Sequence, residues 1–328
     1  MSLTLNGSRR AATSALFATT LVLCATSSAF ADTWPDKPIK VLVPYAAGGP
    51  VDTVTRVVME IVSTSLQQSV VVENRPGANT TISTAQLARS APDGYTFGII
   101  PAAYTTNQVL SKGLPYKASD LMPVSHMVNI PLFLFTSGST PASDVKEFVE
   151  WAKTKPISYA STGLGSTGHL LGEMFSLTAG WKSAHAAYSG SAKLMPDLIT
   201  GLVDYVFDPA SGGMPHVKAG KLKVLAVSAS KRCECAPEVP TMAESGYPNI
   251  VQGSWLGLMA PANTPKPVVD RMSAELAKAL KEPELVKRLE AMGFDLEGST
   301  PEQFEALIDR DISAYAAIAQ KANITLDR

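Results

Sequence analysis

The sequence predicts an α/β protein built from two lobes. Short apolar strands alternate with amphipathic helical stretches, and this alternation occurs twice along the chain. The 328 residues are enough for two such units, and 45% of them are hydrophobic against 17% charged. No repeat of solenoid period is visible. We therefore expect two packed α/β units rather than a repeat array or a disordered chain.

The first unit is predicted to be a βαβαβ arrangement. Its strands are expected at 39–43, 70–72 and 95–100, and its helices at 51–66 and 82–89. In the first helix, valine, isoleucine and leucine residues recur at helical spacing. Pro92-Asp93-Gly94 predicts the turn into the third strand.

The second unit repeats the alternation, and a helical tail follows it. Its strands are expected near 157–160, 185, 205–207 and 222–227, with helices at 168–177 and after Ser191. After a further strand at 255–259, helices are expected at 265–280, 284–292 and 301–321. Thr300-Pro301-Glu302-Gln303 is a favourable start for the last of these.

Charge and composition exclude several functions. Lys and Arg number 28 against 29 Asp and Glu, so the net charge is −1 and no basic excess favours a nucleic-acid partner. The four histidines show no metal-binding spacing, and we expect neither a metal nor a cofactor. Cys233 and Cys235 are interpreted as two thiols or a small disulfide in an exposed loop, without a function.

Residues 1–31 are predicted to be an export signal. Arg9-Arg10 precede an apolar stretch at 11–25, and Ala29-Phe30-Ala31 is a small-x-small cleavage site. A lipidation site at Cys24 is disfavoured because Leu23 is bulky, and the arginine pair lacks the rest of a twin-arginine pattern. We expect cleavage after about Ala31 and a periplasmic protein.

Three glycine-rich or polar turns stand where strands lead into helices, which is where open parallel sheets bind ligands. Gly48-Gly49 precede a helix that begins at Pro50, so backbone N–H groups could bind an anion there. An ordinary tight turn, with Asp52 merely complementing the helix dipole, is the alternative. The second turn offers Asn79 and Thr80.

The third turn, Gly163-Leu164-Gly165-Ser166-Thr167-Gly168, has the form of a dinucleotide-binding fingerprint. However, no acidic residue lies between Glu173 and Asp197, where the ribose-binding acid is expected. His169 and Leu170 also replace the Lys and Ser/Thr of a phosphate-binding loop. What remains is a helix N-terminus rich in hydrogen-bond donors, which suits a carboxylate.

Several longer motifs occur in a specific order along the chain. They are Val43-Pro44-Tyr45-Ala46-Ala47-Gly48-Gly49-x-x-Asp52, Val72-Glu73-Asn74-Arg75-Pro76-Gly77-Ala78, Gly165-Ser166-x-x-His169-Leu170, Tyr188-x-Gly190-Ser191-Ala192, Phe207-Asp208 and Val239-Pro240-Thr241-Met242-Ala243-Glu244. In this order the chain resembles the substrate-binding proteins of tripartite tricarboxylate transporters, the Bug family, over essentially its whole length after residue 31. It departs from the family pattern at Asn79-Thr80 and at Ala102-Ala103-Tyr104.

The resemblance implies a two-lobed, periplasmic-binding-protein-like (Venus flytrap) fold that closes over a small organic carboxylate. Lobe one would comprise 32–130 plus 250–328, and lobe two 131–249. The ligand would be held by backbone N–H groups, hydroxyls and water, and then delivered to the permease subunits in the membrane. We expect no enzymatic activity, because the sequence contains no nucleophile elbow, metal triad or complete dinucleotide fingerprint.

A dicarboxylate is favoured as ligand, because a closed cleft must satisfy polar groups at both ends. An aromatic dicarboxylate would bind more tightly, by stacking, if Tyr45 and Tyr104 both lined the cleft. The predicted ligand-binding residues are Tyr45, Ala47, Gly48, Gly49, Asp52, Asn79, Thr80, Tyr104, Ser161, Thr162, Gly163, Ser166, Thr167, Tyr188, Ser191 and Asp208. A receptor that presents its ligand to a sensor protein remains an alternative, as does an exported enzyme.

Overall fold

The computed structural model describes residues 34–251 and 253–322. The predicted export signal at 1–31 and its cleavage site therefore lie outside the described residues. Within them, two mixed β-sheets carry helices on their faces, which confirms the α/β prediction. No helix in the described part of the chain is long and apolar enough to span a membrane.

The strands are numbered in chain order. They are β1 (Ile39–Val43), β2 (Val70–Asn74), β3 (Thr96–Pro101), β4 (Leu121–Ile130), β5 (Leu132–Ser137), β6 (Ile157–Ser161), β7 (Ser183–Ala187), β8 (Tyr205–Pro209), β9 (Leu222–Ser228), β10 (Ser254–Pro261) and β11 (Asp295–Leu296).

Two short 3₁₀ turns lie at Ala78–Thr80 and Ala118–Asp120. The α-helices, numbered in chain order, are α1 (Pro50–Leu66), α2 (Thr81–Ala88), α3 (Ala103–Leu110), α4 (Val145–Ala152), α5 (Thr167–Ala179), α6 (Ser191–Thr200), α7 (Ala210–Lys218), α8 (Lys266–Ala279), α9 (Pro283–Ala291) and α10 (Pro301–Ala322).

The first sheet has the strand order β11-β4-β10-β3-β1-β2. Strands β1, β2 and β3 are parallel, and β10 lies antiparallel between β3 and β4. Helix α1 begins at Pro50, whose missing N–H costs nothing at the first helical position. It packs Val54, Val58 and Val62, four residues apart, into the core of this sheet.

The second sheet has the strand order β7-β6-β8-β5-β9. All six residues of strand β5, which lies between β8 and β9, are buried, as expected for a strand with both faces covered. Strands β7, β6 and β8 are parallel, so the loops after β6 and β7 emerge at the same edge. On one face, Phe148 and Phe175 each pack edge to face against Tyr205 in the core.

The two sheets are directly joined at Pro131, which stands between the end of β4 and the start of β5. The chain returns to the first sheet through the segment between β9 and β10. The strands and helices expected from periodicity are confirmed within one to three residues. The patterns did not predict β4, β5, β11, α3, α4 or α7.

Cys233 and Cys235 form a disulfide. The expectation of an exposed loop is wrong for Cys233, which is 4% exposed because it packs with Ala236 and Val239 beside the second sheet.

Candidate functional site

A cavity of about 680 Å³ is lined by residues of both sheets, at the ends of β1, β6, β7 and β8. Ile130 and Leu132, on either side of the Pro131 junction, also line it. Ten of the predicted ligand-binding residues contribute to its wall. They are Tyr45, Ala47, Gly48, Gly49, Asn79, Thr162, Ser166, Thr167, Ser191 and Asp208.

The other six predicted residues do not line this cavity. They are Asp52, Thr80, Tyr104, Ser161, Gly163 and Tyr188. Asp52, Thr80, Tyr104 and Ser161 are buried. The hydrogen bonds of Asp52, Ser161, Gly163 and Tyr188, described below, show how these four residues support the turns that do line it.

Helices α1, α5 and α6 all begin at the wall. The first N–H groups of a helix have no partner within it, and together with the helix dipole they favour an anion. Among the described lining residues there is no Lys, Arg or His, and Asp208 is the one carboxylate. The wall therefore offers dipoles and hydroxyls, rather than cationic side chains, to a ligand.

The turn between β1 and α1 is held by Asp52. This carboxylate is 3% exposed and accepts hydrogen bonds from the Gly48 N–H at 2.8 Å, from Arg56 Nε at 3.0 Å and from Asn74 Nδ2 at 2.9 Å. Asn74 Nδ2 also donates to the Tyr45 carbonyl at 3.0 Å. Asp52 thus ties the lining turn to the end of β2.

These partners keep Asp52 ionised. Burial raises its pKa, but the hydrogen bonds from Arg56, Gly48 and Asn74 outweigh burial and lower the pKa to about 2. The Gly48 N–H is consequently engaged with Asp52 rather than directed at a ligand. The N–H groups in the first turn of α1, which lack an i−4 partner inside the helix, remain for anion binding.

Asn79 is positioned by Asn107. Asn79 Nδ2 donates to Asn107 Oδ1 at 2.8 Å, and Asn107 Nδ2 donates back to the Asn79 carbonyl at 2.8 Å. The backbone at Asn79 and Thr80 is left-handed, with φ of 46° and 73°. Such strain in residues other than glycine concentrates at functional sites. Thr80 itself is 4% exposed, behind the wall.

Tyr104 lies in the core rather than at the cavity. It is 2% exposed and stacks on Tyr116, with ring centroids 6.0 Å apart. Tyr45 lines the cavity and is 36% exposed. The pair of tyrosines on which the aromatic preference depended is therefore not assembled at the wall.

The turn between β6 and α5 is closed by hydrogen bonds within it. Ser166 caps α5 by accepting the His169 N–H at 3.2 Å. The buried Ser161 hydroxyl lies 3.0 Å from the Gly163 carbonyl and 2.7 Å from His185 Nε2. Ser161 and Gly163 thus support this turn from behind.

Two stacked histidines lie beneath this turn. The rings of His169 and His185 are 4.1 Å apart, and the Gly165 N–H donates to His169 Nδ1 at 3.2 Å. Burial lowers the pKa of both imidazoles to about 4, and His169 adds to this effect at His185. Both are therefore neutral near pH 7.

The turn between β7 and α6 contacts Asp208. Ser191, the first residue of α6, donates its hydroxyl to Asp208 Oδ1 at 2.8 Å. Asp208 is fully buried, and no described residue donates to its Oδ2. Burial raises the pKa of Asp208 to about 7, although the bond from Ser191 opposes this. Nearby, the Tyr188 hydroxyl donates to Asp197 Oδ2 at 2.6 Å.

Several lining residues were not predicted from sequence. They include Ser189, Ser211, Ser254 and Phe294. Ser189 occupies the unspecified position of the Tyr188-x-Gly190 motif, so adjacency could have indicated it. Ser254 and Phe294 reach the cavity only because the chain returns to the first sheet. Among the described residues, no group of three or more His, Cys, Asp or Glu could hold a metal ion.

The chain is similar to known receptors. The model of the tripartite tricarboxylate transporter family receptor matches residues 54–324. Protein BugT of Bordetella pertussis is 33% identical over 327 residues, covering 98% of this chain and 100% of that protein.

Two solved structures extend this similarity. An R. palustris protein with adipate is 30% identical, with a TM-score of 0.80 over 89% of this chain and 99% of that one. MatC from Rhodopseudomonas palustris with bound malate is 29% identical, with a TM-score of 0.75 over 87% and 99% of the two chains. The chain therefore belongs to the tripartite tricarboxylate transporter receptor family, which its sequence motifs already resembled.

Proposed function

We propose that this solute-binding protein captures a small organic carboxylate between its two lobes outside the cytoplasm and delivers it to the membrane subunits of a tripartite tricarboxylate transporter. A dicarboxylate is the favoured ligand. The observation that carries the proposal is the wall of the cavity, where helices α1, α5 and α6 begin and where the described lining residues include no cationic side chain.

The two ends of the cavity support a ligand with two polar ends. On the side of the first sheet, the first turn of α1 offers N–H groups. On the opposite side stand the hydroxyls of Thr162, Ser166 and Ser191. An unpaired buried polar group costs about 1–3 kcal/mol, so an apolar ligand end in this region is disfavoured. The similar proteins solved with adipate and with malate also hold dicarboxylates.

A matched pair of ligands tests the proposal. Thermal-shift assays should show a larger stabilisation by adipate than by hexanoate, which has the same carbon chain and one carboxylate. A ligand at 100 times its Kd adds about 2.7 kcal/mol to stability. Terephthalate tests the aromatic preference, for which Tyr45 is the one predicted tyrosine at the wall. A screen of mono-, di- and tricarboxylates in which none stabilises the protein would contradict the proposal.

The proposed lobes are 32–130 plus 250–328 and 131–249, and they move as two bodies about the junction at Pro131 and the return segment. Closure of the cleft should reduce the radius of gyration on ligand saturation. Solution scattering with and without ligand measures this. An unchanged radius would contradict closure.

Export and delivery are the remaining parts of the proposal. N-terminal sequencing of the secreted protein should begin near Asp32, after the cleavage site predicted from sequence. Genes for a large and a small membrane protein beside this one would support delivery to a transporter. Presentation of the ligand to a sensor would use the same cavity, but no specific observation favours it. The wall and the family both favour binding over an enzymatic reaction.

A further inference from the structure

Ser191 and Asp208 form a buried pair at the cavity. The Ser191 hydroxyl lines the cavity and lies 2.8 Å from Asp208 Oδ1. Behind this hydroxyl, Asp208 is fully buried. Its Oδ2 lies against Gly212 of α7, so close that a Cβ atom added to that glycine would be 2.0 Å from Oδ2. A ligand therefore meets the Ser191 hydroxyl rather than Oδ2 of the acid.

A serine hydroxyl carries one proton to donate and two lone pairs. When Asp208 is ionised, it can only accept, so the Ser191 proton points at it and lone pairs face the cavity. When Asp208 is neutral, its own O–H can donate to Ser191 Oγ. The Ser191 proton is then free to turn toward the cavity.

We propose that Asp208 is a positioning residue that sets the direction of the Ser191 hydroxyl. The neutral acid lets Ser191 donate to a ligand carboxylate, and an ionised Asp208 takes up one proton from solvent when the ligand binds. This inference rests on the proposed function, because it concerns the end of the carboxylate that meets α6. A neutral Asp208 makes Ser191 a donor to the ligand carboxylate, whereas an ionised Asp208 leaves it with lone pairs toward an anion.

The surroundings of Asp208 favour the neutral form. Burial raises its pKa to about 7, and the hydrogen bond from Ser191 is the one described influence that lowers it. No cationic side chain lines this cavity among the described residues. The Oδ2 atom has no donor in the described chain, which would be costly for a buried carboxylate but is tolerable for a carboxyl group.

The strands and helices packed around Asp208 carry other ionisable groups, but these are bonded to other partners or lie away from Asp208. These groups are Tyr159 on β6, Tyr205 on β8, His169 and Glu173 on α5, Lys193 and Asp197 on α6, and His216 and Lys218 on α7. The Tyr205 hydroxyl donates to the Gly172 carbonyl at 3.0 Å. Glu173 accepts from Tyr159 and Asp197 from Tyr188. His169 accepts from the Gly165 N–H, Lys193 is exposed, and the two α7 groups lie in its last turn, away from Asp208.

Calorimetric titration with adipate from pH 6.5 to 9 tests the inference, since a carboxylic acid of ordinary pKa is fully ionised throughout this range. Only the protonated fraction of the protein should bind tightly, so affinity should fall about tenfold per pH unit above about 7. At pH 9 it should be about 100-fold weaker than at pH 6.5.

Three variants test whether the proton on Asp208, rather than another group, causes the pH dependence of adipate affinity. Asp208→Asn keeps an acceptor and adds a permanent donor for Ser191, so it should bind adipate with no pH dependence. Ser191→Ala should bind more weakly at pH 6.5 and lose the pH dependence. Asp144→Asn is the matched control: Asp144 caps the exposed start of α4, where Asn caps equally well, so the wild-type slope should persist.

A slope that survives in Asp208→Asn, or a wild-type affinity that does not change with pH, would overturn the inference and leave the proposed function standing. Failure of adipate to bind at any pH would count against both. If Asp208→Asn does not fold, wild-type calorimetry at pH 8 in two buffers of different ionisation enthalpy decides. Uptake of about one proton per adipate is expected, and no uptake overturns the inference.

Discussion

The two sides of the cavity each contain a buried aspartate, and the two aspartates are in opposite situations. Asp52, under the turn of the first sheet, accepts from three donors, whereas Asp208, under the turn of the second, accepts from Ser191 alone among the described residues. Donors hold the pKa of the first at about 2, and burial raises that of the second to about 7. Burial of a carboxyl group therefore does not by itself reveal its charge, because the hydrogen-bond donors around the group also set its pKa.

The largest difference between the two sides of the cavity is expected in how acid changes their contributions to the free energy of unfolding. The pKa of His169 falls from 6.5 to about 4 in the folded protein, so the unfolded chain binds more protons between these values. This stabilising contribution is fully present above pH 6.5 and is lost as the pH falls to 4. Asp52 contributes stability that is lost only as the pH falls from 3.8 toward 2.

We therefore expect the free energy of unfolding in urea to decrease by on the order of 3 kcal/mol between pH 7 and pH 4 through His169, and by more once His185 is included. Asp208 opposes this, because its raised pKa makes stability fall as the pH rises from 3.8 to 7. Asp208→Asn should accordingly steepen the loss in acid. An unfolding free energy of the Asp208→Asn protein that is equal at pH 7 and pH 4.5 would refute this account.

Removing the charge from each aspartate should have opposite consequences for stability. Asp52→Asn takes an ionised acceptor from Arg56, Asn74 and the Gly48 N–H and should cost about 2–3 kcal/mol at pH 7. Asp208→Asn should be neutral or stabilising, because it removes a buried acid whose Oδ2 has no donor among the described residues. Urea unfolding of the two variants checks this, and equal losses in both would break the comparison.

Glycines on the two sides of the cavity should also differ in how much stability is lost when they are replaced by alanine. A Cβ at Gly168 would lie 2.6 Å from the Phe207 carbonyl oxygen, so Gly168→Ala must push α5 away from β8 and should cost about 1–3 kcal/mol. Gly49→Ala is the control, since its Cβ would lie 3.5 Å from the Ala46 carbonyl oxygen, at ordinary contact distance. Thermal unfolding distinguishes the two, and a Gly168→Ala protein as stable as wild type would be inconsistent with the close approach.

The smallest effect is expected for Tyr188. Tyr188→Phe removes one hydrogen bond, to Asp197, and should reduce stability by about 1 kcal/mol. Because Tyr188 does not line the cavity, the adipate affinity should change by less than about twofold. A tenfold loss of affinity, measured by calorimetry, would show instead that its hydroxyl reaches the ligand.

The sequence was informative where local chemistry decides the structure. Periodicity placed α1 and β1, and the glycines before Pro50 and after β6 marked turns that line the cavity. It was uninformative where distant contacts decide. Tyr104 packs on Tyr116, and the Gly48 N–H is taken by Asp52, although nothing in the spacing indicates either choice. Ser254 lines the cavity from a strand that joins the sheet across more than 120 residues.

The position of β10 also bears on the order in which the chain folds. The second sheet is built from one continuous stretch, from β5 to β9, whereas β10 must insert between β3 and β4 after that stretch has been made. Loop closure of this length is slow, and a domain generally folds as a unit once its residues are available. We expect the second sheet to form first as the exported chain emerges with its N-terminus leading, and the first sheet to remain incomplete, with β3 and β4 each lacking a neighbour, until β10 follows.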